Sequence, residues 1–140
     1  MSIFKLLKQG IILLETAFFS RYSDPEKYQS YVVESGRQAL AEEVATVVLT
    51  TGGKSAQAKR KVLDVAAGTG LVSHALLKAE CSVTAFDHSA PMLDLLSQQF
   101  KGISTKVGDM NRPWPFAEAQ FDTVTIVWGN RYIVDPEHFS

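Results

Sequence analysis

Val62-Leu63-Asp64-Val65-Ala66-Ala67-Gly68-Thr69-Gly70 decides how the chain is read. Val62, Leu63 and Val65 form a short apolar, β-rich run, and the Ala-Ala-Gly-Thr-Gly that follows has almost no side-chain bulk. The stretch predicts a buried strand entering a turn whose backbone can approach a ligand closely. Residues 71–79 then carry apolar side chains at helical spacing. Strand, small-residue turn and helix in that order make a nucleotide-type cradle, because a helix start offers unpaired N–H groups where the strand ends.

Toward the C-terminus, Ser82-Val83-Thr84-Ala85-Phe86-Asp87 predicts a second strand ending in a carboxylate. Ser89 is a suitable cap for a helix carrying Met92, Leu93, Leu95, Leu96 and Phe100. Residues 103–107 predict a short third strand ending near Asp109. The proline-broken loop Arg112-Pro113-Trp114-Pro115-Phe116 follows, and residues 121–128 form an apolar, β-branched fourth strand. Strands alternating with helices imply right-handed crossovers and an α/β fold with a parallel sheet covered on both faces. Ligands in such sheets bind outside the carboxyl ends of the strands. The turn after Val65, Asp87, Asp109 and Trp128-Gly129-Asn130 all fall there.

Toward the N-terminus, Ile3, Phe4, Leu7, Ile11, Leu14 and Phe18 recur at three- and four-residue steps and predict a helix over residues 3–19. Such a helix packs on its own domain, or serves as a substrate lid, a dimer contact or a membrane-surface element, the last disfavoured by Glu15. Asp24-Pro25-Glu26 predicts a helix start running to about Val33, with Tyr22, Tyr28 and Tyr31 crowded around it. Residues 36–49 give another helical pattern through Leu40, Val44, Val47 and Val48. The basic run Lys54, Lys59, Arg60 and Lys61 lacks interleaved aromatics and reads as a solvated loop rather than a nucleic-acid patch.

The 140 residues suit one domain, and 46% apolar with 21% charged residues is an ordinary globular composition. A net charge of -1 opposes bulk nucleic acid as a partner. Cys81 is the only cysteine, which excludes an intrachain disulfide and a cysteine-cluster metal site; no metal is expected, and a reducing cytoplasm is the easiest home. Glu15 interrupts the apolar run after Lys5 and Lys8, and no small-residue cleavage site follows before Arg21, so no signal peptide is expected. No run approaches the ~18 consecutive apolar residues of a spanning helix.

The strand ends supply Asp64, Gly68 and Gly70 from the first, Asp87 from the second and Asp109 from the third. An acid just past a second strand can accept from both hydroxyls of a ribose, which favours an adenosine-containing ligand. A helix cap or surface turn is the competing role for Asp87. A nicotinamide-dinucleotide site is one rival, but Ser73 stands where its third glycine belongs, Asp64 precedes the turn, and Asp109 is an acid that fingerprint does not explain.

In order and content these pieces resemble the class I S-adenosylmethionine-dependent methyltransferases, small-molecule group. The segments that carry the resemblance are VLDVAAGTG (62–70), FDHSAPML (86–93), GDMNRPWPF (108–116) and FDTVTIVWGNRYIVDP (121–136). The family's first motif runs acid-x-Gly-x-Gly-x-Gly; Ala66 replaces the first glycine, a one-methyl change the turn is expected to tolerate. The resemblance implies a Rossmann-like parallel sheet sandwiched by helices, with an N-terminal helical segment. It divides one domain into helices over residues 1–50 and a cofactor-binding core over residues 60–140. It implies S-adenosyl-L-methionine as cofactor and S-adenosyl-L-homocysteine as product. Asp64 would organise the turn and reach the methionine end through water, with Ala66, Gly68 and Gly70 along the methionine and ribose. Asp87 would take the ribose hydroxyls, His88 and Met92 would flank the adenine, Asp109 and the Met110 N–H would meet its edge, and Trp128 completes the set. For Met92 a core position is the competing reading, and for His88 packing or solvent exposure.

The sulfonium is already a reactive methyl donor, so positioning supplies most of the acceleration, and a base is needed only if the acceptor must lose a proton. Asn130, Arg131 and Tyr132 lie where an acceptor would approach; none is assigned as catalytic. Methyltransferases of this class continue for several more elements, and Asp135-Pro136 reads as a helix start cut short by the end at Ser140. The expectation is a truncated chain with an incomplete C-terminal half, or a homodimer in which a second copy covers the edge of Val124-Thr125-Ile126-Val127. The acceptor is expected to be a small molecule; the other reading is a non-catalytic binding or dimerisation module. Asp87→Ala is expected to weaken cofactor binding by about 1–3 kcal/mol with the fold intact.

Overall fold

The computed structural model describes residues 11–14, 37–50 and 59–127. In chain order the elements are β1 (Ile11–Leu14), α1 (Arg37–Thr50), β2 (Lys61–Val65), α2 (Leu71–Lys78), β3 (Ser82–Asp87), α3 (Ala90–Gln99), β4 (Ser104–Val107) and β5 (Thr123–Val127). The strands form one sheet in the order β1-β5-β2-β3-β4, every pair parallel. From β2 the chain steps outward through α2, β3, α3 and β4. It then returns through residues 108–122 to place β5 on the opposite side of β2. The gap between β2 and β5 is therefore the topological switch point.

The two-residue period of each strand sorts the core. Val62 and Val83 face the helices, where Ala41, Val44, Ala45 and Val48 of α1 and Val72, Ala75 and Leu76 of α2 bury them together with Val127. Ala85 meets Leu93 and Leu96 of α3 on the same face. Leu63, Val65, Phe86, Val124 and Ile126 face the other way, against Trp114 and Phe121, with Met110 and Phe116 at the margin. Among the described residues, this second face is covered by the irregular 108–122 connection. Its rings pack edge-to-face: Phe86 lies 5.8 Å from Trp114 and 5.4 Å from Phe116, and Phe116 lies 5.3 Å from Phe121. The Trp114 indole N–H donates to the Met110 carbonyl at 2.7 Å, giving the buried ring its polar partner. Gly108 is required at the start of this connection, since a Cβ there would lie 2.6 Å from Phe86 Cε2.

At the opposite end of the sheet, Asp122 clasps β2 to β5. Its carboxylate accepts from the Lys61 N–H at 2.9 Å, and its own N–H donates to the Lys61 carbonyl at 2.8 Å. Arg60, within the basic run, is buried beside this clasp, and its carbonyl accepts from the Ser82 N–H at 2.8 Å.

One element differs from its sequence reading. Residues 11–14, placed by their spacing on a helix over residues 3–19, instead pair as a strand with β5, from Ile11↔Val124 to Leu14↔Val127. Ile11-Ile12-Leu13-Leu14 is a continuous apolar run, which fits a buried strand as well as a helix, and an uncovered β5 edge offers it a full ladder of backbone partners. The edge that the sequence reading left bare is thus occupied by β1 among the described residues. The helix expected from Asp24 to Val33 lies outside the described residues, as do Trp128, Asn130, Arg131, Tyr132 and the expected helix start at Asp135. The far edge, β4, is exposed along its length and carries Lys106, a charge that discourages edge pairing.

Candidate functional site

The turn after β2 contains three residues in the left-handed region: Ala66 at φ 57°, Gly68 at φ 58° and Gly70 at φ 92°. Two of these are glycine, and the third carries a Cβ at a cost of about 1–2 kcal/mol. Backbone bonds close the turn, with Ala67 N–H donating to the Phe86 carbonyl at 3.3 Å and Gly70 N–H to the Ala67 carbonyl at 3.1 Å.

Asp87 holds this turn in place. One carboxylate oxygen accepts from the Gly68 N–H and the other from the Ser89 N–H, both at 2.8 Å, and the Asp87 carbonyl accepts from the Gly108 N–H at 2.9 Å. A single buried residue at the end of β3 thereby joins the glycine turn, the start of α3 and the segment after β4. Ser89 caps α3 as expected, its hydroxyl accepting from the Met92 N–H at 3.3 Å. The helix-cap and ligand readings of Asp87 are compatible, since each carboxylate oxygen keeps a further lone pair.

Asp64 lies one step deeper, fully buried on the helix face of β2. Its oxygens accept from Ser73 Oγ at 2.6 Å and Thr125 Oγ1 at 2.9 Å, tying β2 to the first turn of α2 and to β5 across the switch point. Burial pushes its pKa up to about 6, against the pull of the two hydroxyls, and the charge of Asp87 adds to the rise. Ser73, noticed in the sequence only as a departure from the dinucleotide pattern, is the helix side of this clasp. Thr125 went unremarked; its signal is a hydroxyl inside an otherwise apolar strand.

Gly70 has a role the sequence reading did not assign. A Cβ built on it would lie 2.6 Å from both Cγ and Cδ1 of Leu96 and 3.4 Å from Phe100 Cδ2. Its missing side chain admits α3 against the start of α2. Met92 is buried on α3, in agreement with the core reading. His88 is 81% exposed, its Nδ1 3.4 Å from an Asp87 oxygen. Asp109 is half exposed after β4, where one oxygen accepts from the Asn111 N–H at 2.8 Å and the other lies 3.6 Å from Arg112 Nε. The structure therefore brings Asp64, Ala66, Gly68, Gly70 and Asp87 into one interlocked unit, with Met110 and Asp109 on the neighbouring strand end. Among the described residues no group of His, Cys, Asp and Glu could hold a metal ion, and no helix is long and apolar enough to cross a membrane.

The methyltransferase domain family profile matches residues 62–139. The chain is 40% identical over 78 residues to the demethylmenaquinone methyltransferase of Renibacterium salmoninarum, covering 56% of this chain and 32% of that protein. It is 31% identical over 124 residues to the enzyme of the same name from Thermobifida fusca, covering 85% and 50%. The chain thus spans about a third to a half of the length of these curated relatives. A Methanococcus maripaludis structure described as a putative S-adenosyl-L-methionine-dependent methyltransferase superposes with a TM-score of 0.69 at 16% identity, over 89% of this chain and 59% of that one. CalS10, an amino pentose methyltransferase of Micromonospora echinaspora solved with S-adenosylmethionine bound, gives 0.64 at 19% identity, over 90% and 50%. With the parallel sheet, the glycine turn and the acid at the end of β3 in place, the chain belongs to the methyltransferase domain family.

Proposed function

We propose that this chain forms the cofactor-binding half of an enzyme that transfers a methyl group from S-adenosyl-L-methionine to a small-molecule acceptor. The observation that carries the reading is the Asp87 carboxylate bonded to the Gly68 N–H at 2.8 Å, which fixes the glycine turn beside the switch point. The spare lone pairs of Asp87 suit ribose hydroxyls, and the backbone of residues 66–70 suits the chain joining ribose and methionine. Asp109 and the Met110 N–H, at the next strand end, suit the polar edge of adenine, with Met92 and His88 beside it. Asp64 has both oxygens engaged and is buried, so it acts on a ligand through its field or through water rather than by direct contact.

The bound sulfonium supplies an electrophilic methyl group. The protein's part is to hold that methyl in line with the acceptor and to keep water away, and the rigid turn serves the first of these. The relatives named for demethylmenaquinone support an aromatic, quinone-like acceptor within the small-molecule class. The buried free Cys81 and the near-neutral charge accord with a cytoplasmic protein without a nucleic-acid partner. Isothermal titration with S-adenosylhomocysteine and with NAD tests the reading. Micromolar affinity for the former and none for the latter is expected; tight NAD binding with no affinity for S-adenosylhomocysteine overturns it.

A further inference from the structure

Two buried carboxylates flank the glycine turn on neighbouring strands, and what holds them is neutral. Asp64 is bonded by the hydroxyls of Ser73 and Thr125, and Asp87 by the backbone N–H groups of Gly68 and Ser89. Among the described residues no lysine or arginine is bonded to either carboxylate, and the one titratable neighbour that could bring positive charge is His88, an exposed imidazole 3.4 Å from Asp87. α2 contributes the hydroxyl and the backbone N–H of Ser73 to Asp64, and β5 the hydroxyl of Thr125, all of them neutral donors. A buried anion held by neutral donors is stabilised by hydrogen bonds but its charge is not cancelled, so a cation entering the crevice gains its full attraction.

We propose that Asp64 is a charge-selecting positioning residue, which favours the cationic cofactor over its uncharged-sulfur product and gives up a proton when the cation binds. The proposal rests on the S-adenosylmethionine reading of the site. It follows from the chemistry of the two ligands: both carry an ammonium and a carboxylate, and only the methylated one carries a sulfonium charge. Free protein takes up a proton on Asp64 as pH falls toward 6, where burial has placed its titration. A sulfonium nearby favours the ionised form and pulls that titration down again. Ser73 and Thr125 set the starting point, because each donates a hydrogen bond only the ionised acid needs.

Calorimetry of the 140-residue chain with S-adenosylmethionine and with S-adenosylhomocysteine, in buffers of different ionisation enthalpy at pH 6 and 8, counts the protons. If the cation lowers the Asp64 pKa by one unit from about 6, about 0.4 proton leaves per S-adenosylmethionine at pH 6 and almost none at pH 8. Affinity for S-adenosylmethionine then falls roughly fivefold between pH 8 and pH 5, while that for S-adenosylhomocysteine stays nearly level. Asp64→Asn should abolish the release. Thr125→Val keeps the acid but removes one donor, and should move the pH of maximal release upward, which tests the proposal even if the asparagine variant does not fold. Counted per S-adenosylmethionine bound, the release should persist in His88→Asn; a variant that binds the cation without releasing a proton would overturn the proposal. Binding of both ligands with equal pH dependence and no proton exchange also overturns it while leaving the cofactor reading standing, whereas binding of neither ligand removes the cofactor reading and this inference with it.

Discussion

Gly70→Ala separates the two reasons a glycine can be required at the end of the turn. The residue sits at φ 92°, and the missing Cβ position is 2.6 Å from Leu96 Cγ and Cδ1. The left-handed backbone costs an alanine about 1–2 kcal/mol, and forcing a methyl against a packed leucine costs about 1–3 kcal/mol more. Reduced freedom of the unfolded chain returns about 0.4–1 kcal/mol. The net destabilisation expected is about 2–4 kcal/mol, which in urea melts is a midpoint lower by roughly 1–2 M for a slope near 2 kcal/mol/M. Leu96→Ala alone, at a fully buried position, should cost about 2–5 kcal/mol. In the double variant the new methyl enters space the leucine has left, so the two losses should fall short of their sum by about 1–3 kcal/mol. Strict additivity within about 0.5 kcal/mol refutes the packing argument. If the glycine instead mattered for ligand approach alone, Gly70→Ala would melt like the parent, and its loss of S-adenosylhomocysteine affinity would not be relieved by Leu96→Ala.

The remaining expectations concern the carboxylates and the aromatic connection. The folded pKa of Asp64 is raised from 3.8 to about 6, so its contribution to stability is fully present below pH 4 and is lost as pH rises through 6. The full swing is about 3 kcal/mol, of which about 1 kcal/mol has returned at pH 5. Chemical denaturation of the parent and Asp64→Asn at pH 8 and pH 5 should therefore show the parent gaining about 1 kcal/mol relative to the variant on acidification, and a relative loss would contradict the buried, neutral-held carboxylate. Asp87→Ala leaves the Gly68 and Ser89 N–H groups without their acceptor and should cost about 2–4 kcal/mol of stability. Its melting curve must accompany any binding measurement, and an unchanged midpoint would mean water replaces the carboxylate freely. Trp114→Phe keeps most of the buried ring but orphans the Met110 carbonyl, with an expected loss of about 1–2 kcal/mol by urea denaturation; no loss would show that carbonyl to be hydrated.

The α/β core was legible because its elements announce themselves twice, by period and by punctuation. Residues 82–87 alternate and end in an acid, Ser89 and Pro91 start a helix, and the structure has β3 end at Asp87 and α3 begin at Ala90. Asp87 was singled out for its place behind the glycine turn, and that place is what lets it reach Gly68. Ser73 stands out in the sequence only as a departure from the dinucleotide pattern, and Thr125 and Gly108 carry no signal of their roles, because each matters through a partner the local sequence does not show. Thr125 is 61 residues from Asp64, and Gly108 answers to a ring on the strand beside it. A single sequence shows a hydroxyl or a glycine, but not the atom that makes it necessary.

Ile11-Ile12-Leu13-Leu14 marks the physical limit of such reading. Helical spacing over residues 3–19 and a four-residue apolar run are both satisfied by the same side chains, and nothing local decides between them. The decision comes from β5: its central residues are buried, and its backbone on the side away from β2 needs hydrogen-bond partners. The same demand explains why the sequence reading turned to a second copy for that edge. Sheet edges are thus a test of consistency between segments, and an unpaired edge beside an ambiguous apolar run is reason to reassign the run before invoking another chain.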